Sequence, residues 1–377
     1  MARRRLRQSL FQAIDARLAL AVDTTTPFSE RLVHFWASHF AVSTDKFASA
    51  PLAGAFEAEA IRPHISGKFS DMLHAVESHP AMLLYLDQAQ SVGPNSRAGK
   101  RITQRGRRKA GINENLAREI LELHTLGVRS GYTQSDVSEF ARALTGWTVA
   151  GFRDQRILPG TGFGFFAPAH EPGTRQVLGK TYREVGEQQG RAILDDLAMH
   201  PATAKFIATK LARHFVADDP PPTLISKLEA RFMATGGDLT QVYHALIDAP
   251  EAWVPERRKF LSPLEWLVAS LRTMQVSELE QNLRPLLRNL GQELWQPGSP
   301  AGFDDRASRW AAPDSLYRRV EAAHRLAAFG RGEDARVRAP EIYGELLTDN
   351  TSTAIRRAES PRQAMALLLA SPEAMWR

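Results

Sequence analysis

The sequence predicts a mainly α protein: one large multi-helix domain with a short β-hairpin or extended loop near residues 160–182. Three observations carry this. Apolar residues recur at helical spacing over most of the chain. Prolines stand at helix starts, and no series of short strands with regular turns occurs. The 377 residues divide into a basic amphipathic helix (1–25), the main helical domain (26–330, with a basic loop at 95–110) and a helical extension (331–377). Apolar residues make up 43% and charged residues 24%, so a chain of this length can bury a core without covalent staples. There is no cysteine, which excludes disulfides, zinc–thiolate sites, iron–sulfur clusters and cysteine nucleophiles.

Each element has a local reason. The opening MARRRLRQSL is basic, and Leu6, Leu10, Ile14, Ala16 and Leu18 give it a helical stripe. Asp15 and Arg17 interrupt what would be the apolar stretch of an export signal, so a cytoplasmic or periplasmic location is expected. No stretch approaches the about 18 apolar residues of a membrane span. Thr26-Pro27 reads as a cap and first helical residue, with Leu32, Phe35, Trp36 and His39 on one face of the helix that follows. Residues 68–90 read as two helices broken at Pro80. Residues 91–111 are polar and strongly basic, and 95–110 is expected to be an exposed, trypsin-sensitive loop. Helices follow at 112–127 and from Thr133 to Gly146. FGFFAP and RQVLGKTY, separated by AHEPGT, are the expected hairpin or long loop. Helices resume at 187–199, 201–216, 222–235, 239–248, 262–274 and 313–329, and 291–305 is a proline- and glycine-rich loop. Four helix–corner–helix signals recur as SHPAM, MHPAT, DAPEAW and ASPEAMW, each a cap followed by proline.

Residues 113–127, NENLAREILELHTLG, carry the clearest chemical signal. At about 100° per residue, Asn115, Glu119 and Glu122 fall near one another, beside the apolar face of Leu116, Ile120 and Leu123, with His124 on the other edge. Paired carboxylates beside a core-facing stripe can hold a metal or share a proton. The same residues also fit an ordinary ladder, Glu114, Arg118 and Glu122, which does not use Glu119. His39 lies on an apolar face, as a hydrogen-bonded core residue or a ligand. His170 lies in a glycine-bearing turn beside Glu171, and His200 precedes Pro201, as a helix cap or a ligand. Glu321 and His324 form a single i, i+3 pair where a di-iron bundle needs two. His34, His64, His74, His79 and His214 read as structural. No nucleophile elbow, phosphate-binding lysine loop or dinucleotide fingerprint occurs. The basic loop lacks interleaved aromatics, which argues against nucleic acid as the partner.

The segment 113–147, NENLAREILELHTLGVRSGYTQSDVSEFARALTGW, closely resembles the hallmark of the bacterial family catalogued as domain of unknown function 1800. FSERLVHFWASHF (28–40), HPAMLLYLDQAQSVGPNS (79–96), HEPGTRQVLGKTY (170–182), HPATAKFIATKLARHFVADDPPP (200–222), PLEWLVASLR (263–272) and LGQELWQPGSPAGFDD (290–305) resemble it in order. The resemblance covers roughly residues 25–330. It implies a mostly helical fold. Many relatives are exported, and many are encoded beside proteins resembling alkaline phosphatases and sulfatases. Where relatives often read Trp-His-Asn-His-Phe, this chain has Trp36-Ala37-Ser38-His39-Phe40, and Leu86-Asp87-Gln88 replaces Leu-Asp-Asn.

Two expectations follow. In the first, the protein is a metal-dependent, hydrolase-like enzyme. His39, Asp87, Glu119, His124 and His200 would be ligands for a divalent Zn, Mn, Fe or Mg, and Glu119, Glu122 and His170 the catalytic groups. Glu119 and at least two of His39, His170 and His200 would then converge in one pocket. In the second, it is a non-catalytic helical partner or escort of a phosphatase- or sulfatase-like protein, its polar motif residues forming buried networks.

Overall fold

Several helices start where a side chain caps the first turn, often ahead of a proline. His79 Nδ1 accepts a hydrogen bond from the Ala81 amide and His200 Nδ1 one from Ala202, each at 3.1 Å. Thr133 with Asp136, and Ser262 with Glu265, close reciprocal capping boxes. Ser371 caps the turn that begins at Pro372.

The computed structural model describes residues 2–105, 111–151, 162–276, 282–330 and 333–377. These hold twenty α-helices and two two-stranded sheets, as a mainly α class requires. The core is built on Trp36, Trp147, Trp266, Phe40, Phe69 and Phe140, all fully buried. The helix Pro201–Phe215 packs on Pro222–Ala234, which packs in turn on Leu239–Ile247. The first helix, Ala2–Asp23, buries Ile14, Leu18, Ala21 and Val22 and lies on Pro263–Thr273. No helix among the described residues is long and apolar enough to cross a membrane.

Three local expectations need correction. The strand Phe163–Phe165 does not pair with RQVLGKTY. It runs antiparallel to Trp147–Val149, where the Phe163 ring meets the buried Trp147 edge-on at 5.2 Å. Arg175–Val177 pairs instead with Lys180–Tyr182 across Leu178 and Gly179, whose φ values of 50° and 76° suit a tight two-residue hairpin. Second, part of the basic loop is helical. Ser96 Oγ accepts from the Gly99 amide at 3.0 Å and starts the helix Arg97–Gln104. Its lack of an apolar stripe hid it, since it docks through Gly99, where a Cβ would lie 2.2 Å from the Gly93 carbonyl. Arg97, Lys100, Arg101 and Arg105 are exposed, and 106–110 lie outside the described residues. Third, the helix from Asn115 is α only to Glu119. Ile120–His124 is a π turn, and the Thr125 hydroxyl donates to the Ile120 carbonyl at 2.6 Å.

The 291–305 loop closes over the end of the helix Pro27–His39. Gly298 and Gly302 have φ of 73° and 80°, which lets the backbone double back. At Gly302 a Cβ would lie 2.0 Å from the Ser38 carbonyl, and next to it the Phe303 amide donates to Ser38 Oγ at 3.1 Å. Gly302→Ala should therefore cost about 2 kcal/mol or more, through backbone strain and a clash with main chain. Urea unfolding measures this, and a variant as stable as the parent would show that the loop is not clamped here.

Candidate functional site

A chain of buried polar groups links three segments. Glu77, on the helix Phe69–Ser78, is fully buried, and its Oε1 accepts from His124 Nδ1 at 2.7 Å. The π turn brings the fully buried His124 inward. Its carbonyl accepts from His39 Nε2 at 3.1 Å. Because a carbonyl only accepts, His39 Nε2 carries the proton and Nδ1 is a bare acceptor. Burial first, then the nearby charges of Lys210 and His124, hold the His39 imidazole well below its ordinary pKa. Among the described residues, His39 Nδ1, His124 Nε2 and Glu77 Oε2 have no hydrogen-bond partner.

His39 also lines a cavity of about 620 Å³ between the helices Pro27–His39 and Pro201–Phe215 and the loop that ends in Asp304 and Asp305. Lys210 and Arg213 come from the second helix, Arg306 and Arg309 from the turn after the loop. Among the described residues, none of these four cations has a carboxylate within ion-pair distance. Lys210 lies over the face of Phe206, at 5.6 Å, and Arg309 over that of Trp310, at 5.5 Å. Arg213 donates to the Asp218 carbonyl at 3.3 Å. Lys210 is half-buried, and desolvation, opposed by the charge of Asp305 and aided by that of Arg213, brings its pKa down to about 8. His214 Nδ1 pairs with Asp305 Oδ1 at 2.9 Å, and Glu265 lies 4.0 Å from its other nitrogen. Burial pushes the Asp305 carboxyl up, but His214, Lys210 and Lys259 outweigh it and hold it below its usual range.

The residues expected from sequence are dispersed. Glu119 is half-buried, has no hydrogen bond or ion pair among the described residues, and is raised in pKa first by burial and then by Glu122 and Glu77, with His124 and Arg118 opposing. Glu122 belongs to the ladder: Arg118 reaches Glu114 at 3.1 Å and Glu122 at 3.7 Å. Asp87 sits at φ 59° and pairs with Lys46 at 2.6 Å. His170 Nδ1 donates to the Thr145 carbonyl at 2.8 Å, with Glu184 at 3.9 Å from Nε2. His200 is a helix cap. His39 and His124 do meet, with ring centres 6.2 Å apart. No three His, Asp or Glu side chains among the described residues are arranged to hold a metal ion, so the set expected around Glu119 is not assembled. The sequence alone does not single out Lys210, Arg213, Arg306 or Arg309, and His214 reads there as structural. The available signal was the spacing of Lys210 with Arg213 and His214, which puts them on one helical face, and the closeness in sequence of Arg306 and Arg309.

Fold and cleft together define a mainly helical protein with a cationic cavity. The chain belongs to the family described as Protein of unknown function (DUF1800), whose model matches residues 1–376. No curated protein and no solved structure matches it.

The buried histidines set a pH dependence of stability. His34, His39 and His79 all lie below the ordinary value of 6.5, desolvation being the first cause in each. Below that pH the unfolded chain takes up protons that the folded chain refuses, so stability is complete above about 6.5 and falls as pH drops. Urea midpoints should fall between pH 7.5 and 5.5, and His39→Gln should flatten the decline. A midpoint constant across this window would rule out a neutral, buried His39.

Proposed function

We propose that the protein binds a small anionic ligand, a compound bearing a phosphoryl, sulfuryl or carboxylate group, in the cavity edged by Lys210, Arg213, Arg306 and Arg309. The observation that carries this is the absence of any carboxylate within ion-pair distance of these four cations, which share one cavity, among the described residues, although many basic side chains elsewhere in the protein are paired. Arg17 meets Glu57 at 2.7 Å, Arg62 meets Glu30 at 2.7 Å, and Arg377 meets Glu265 at 2.8 Å. Unpaired cations around a cavity are an electrostatic deficit that an anion fills. The volume suits a small molecule, since ligand pockets run from about 300 to 1,000 Å³. His214, oriented by Asp305, adds an acid–base group at the wall. Metal-assisted hydrolysis around Glu119 lacks comparable support, because its ligand set is not assembled. The escort role rests on no feature of this cleft.

Calorimetric titration with sodium sulfate at pH 7 and low ionic strength tests the reading. Saturable binding is expected, and Arg306→Gln and Arg309→Gln should each weaken it by at least about tenfold, the worth of one charge-assisted hydrogen bond. Sulfate keeps its charge across the range, so affinity should fall as pH rises through about 8, where the Lys210 ammonium loses its proton. No saturable heat, or variants that bind as the parent does, would overturn the proposal.

A further inference from the structure

The cleft divides its cations into two chemistries. Arg213, Arg306 and Arg309 stay charged and can only bind, whereas a lysine amine can also react. Lys210 has no hydrogen-bond acceptor and no ion pair among the described residues. It is the neighbour, three residues along one helix, of Arg213, and it lies against the Phe206 ring on the wall of the cavity. A lysine meant only to neutralise charge is best held by a carboxylate. One left without an acceptor, out of water and near another cation, gives up its proton more easily and is then a nucleophile, the loss of solvent outweighing the opposing charge of Asp305.

From this arrangement, and resting on the anion-binding reading above, we infer that Lys210 is an imine-forming amine and that the cavity takes aldehydes or ketones bearing an anionic group. The arginines hold the anionic group and leave the carbonyl carbon to the lysine. In its neutral form, Nζ attacks the carbonyl carbon. The C–N bond forms, the carbonyl oxygen takes up a proton, and the carbinolamine loses that oxygen as water to leave a protonated imine. The lysine ammonium and the carbonyl compound thus give iminium and water, with no oxidant or reductant. His214, one helical turn on from Lys210 and held by Asp305 at 2.9 Å, lines the same cavity and would be the group to pass the proton to the departing oxygen. Desolvation, which brings the Lys210 pKa down to about 8, leaves an appreciable share of free amine near neutral pH.

The test uses the full chain and pyridoxal 5′-phosphate, an aldehyde with an anionic tail, at pH 7.5. Borohydride fixes the imine, and peptide mapping by mass spectrometry locates it. Label should accumulate first at Lys210 and be blocked by excess sulfate. 5-Deoxypyridoxal, an aldehyde with neither the phosphate nor a hydroxyl that could close on it as a hemiacetal, should label Lys210 at least about tenfold more slowly, since charge steering is lost. Lys210→Arg, checked for helical content by circular dichroism, should leave only the slow background of exposed amines such as Lys180 and Lys227, whose side chains are 60% and 52% exposed. Label spread over exposed lysines with no preference for Lys210 would overturn the inference. If sulfate still binds in that case, the anion-binding reading survives and only the imine chemistry fails. Label at Lys210 that sulfate does not block, or that 5-deoxypyridoxal matches in rate, would overturn the ligand class. Failure of both sulfate binding and labelling removes both readings.

Discussion

The hydrogen bond between Glu77 and His124 is the contact on which the arrangement of this protein turns. It lies where neither group reaches solvent, and it joins the helix Phe69–Ser78 to the π turn Ile120–His124. A carboxylate buried without a donor costs several kcal/mol, so the π turn is held wherever His124 can reach Glu77. The extra residue in that turn changes the direction of everything after Glu119 and aims His124 inward. The same turn leaves its last carbonyl without a helical partner, and His39 supplies the missing donor. One widened turn thus fixes the packing of three helices, the tautomer of His39 and the position of the cavity wall that His39 forms.

Much of the fold was legible in local patterns because its causes are local. His-Pro corners place the caps at His79 and His200, and Thr133 with Asp136 announces a helix three residues ahead of its first bonds. What was not legible has a different origin. An even rotation of about 100° per residue assigns faces correctly up to Glu119 and fails after it, because a π turn has no marker in residue type. Pairing of Trp147–Val149 with Phe163–Phe165 depends on which strand lies nearest after the chain folds back. The helix Arg97–Gln104 docks through a glycine rather than an apolar stripe, so hydropathy could not show it. The cavity is least legible of all. Ser38, Lys210 and Gly302 meet across most of the chain length, and no spacing rule joins them.

The positive character of the cleft follows from how its carboxylates are used. Four acidic groups lie in or near it, and each is hydrogen-bonded to a group other than these four cationic side chains. Asp305 is taken by His214, and Asp304 accepts from the Arg306 amide at 2.9 Å. Asp218 accepts from Lys259 at 2.8 Å and from the Ala307 amide at 2.6 Å, while Glu265 is held by Arg377 at 2.8 Å and by its own capping box. Lys259 further donates to the Asp305 carbonyl, tying the end of the 291–305 loop to the segment that leads into Ser262. The carboxylates therefore serve as struts that shape the loop, and the cations facing the cavity are left over. If those acids turned inward to neutralise them, the loop would lose its anchors at Asp218, Asp304 and Asp305 together. Clamping the loop and leaving Lys210, Arg213, Arg306 and Arg309 unpaired are one structural choice, made at the point where Gly302 meets Ser38.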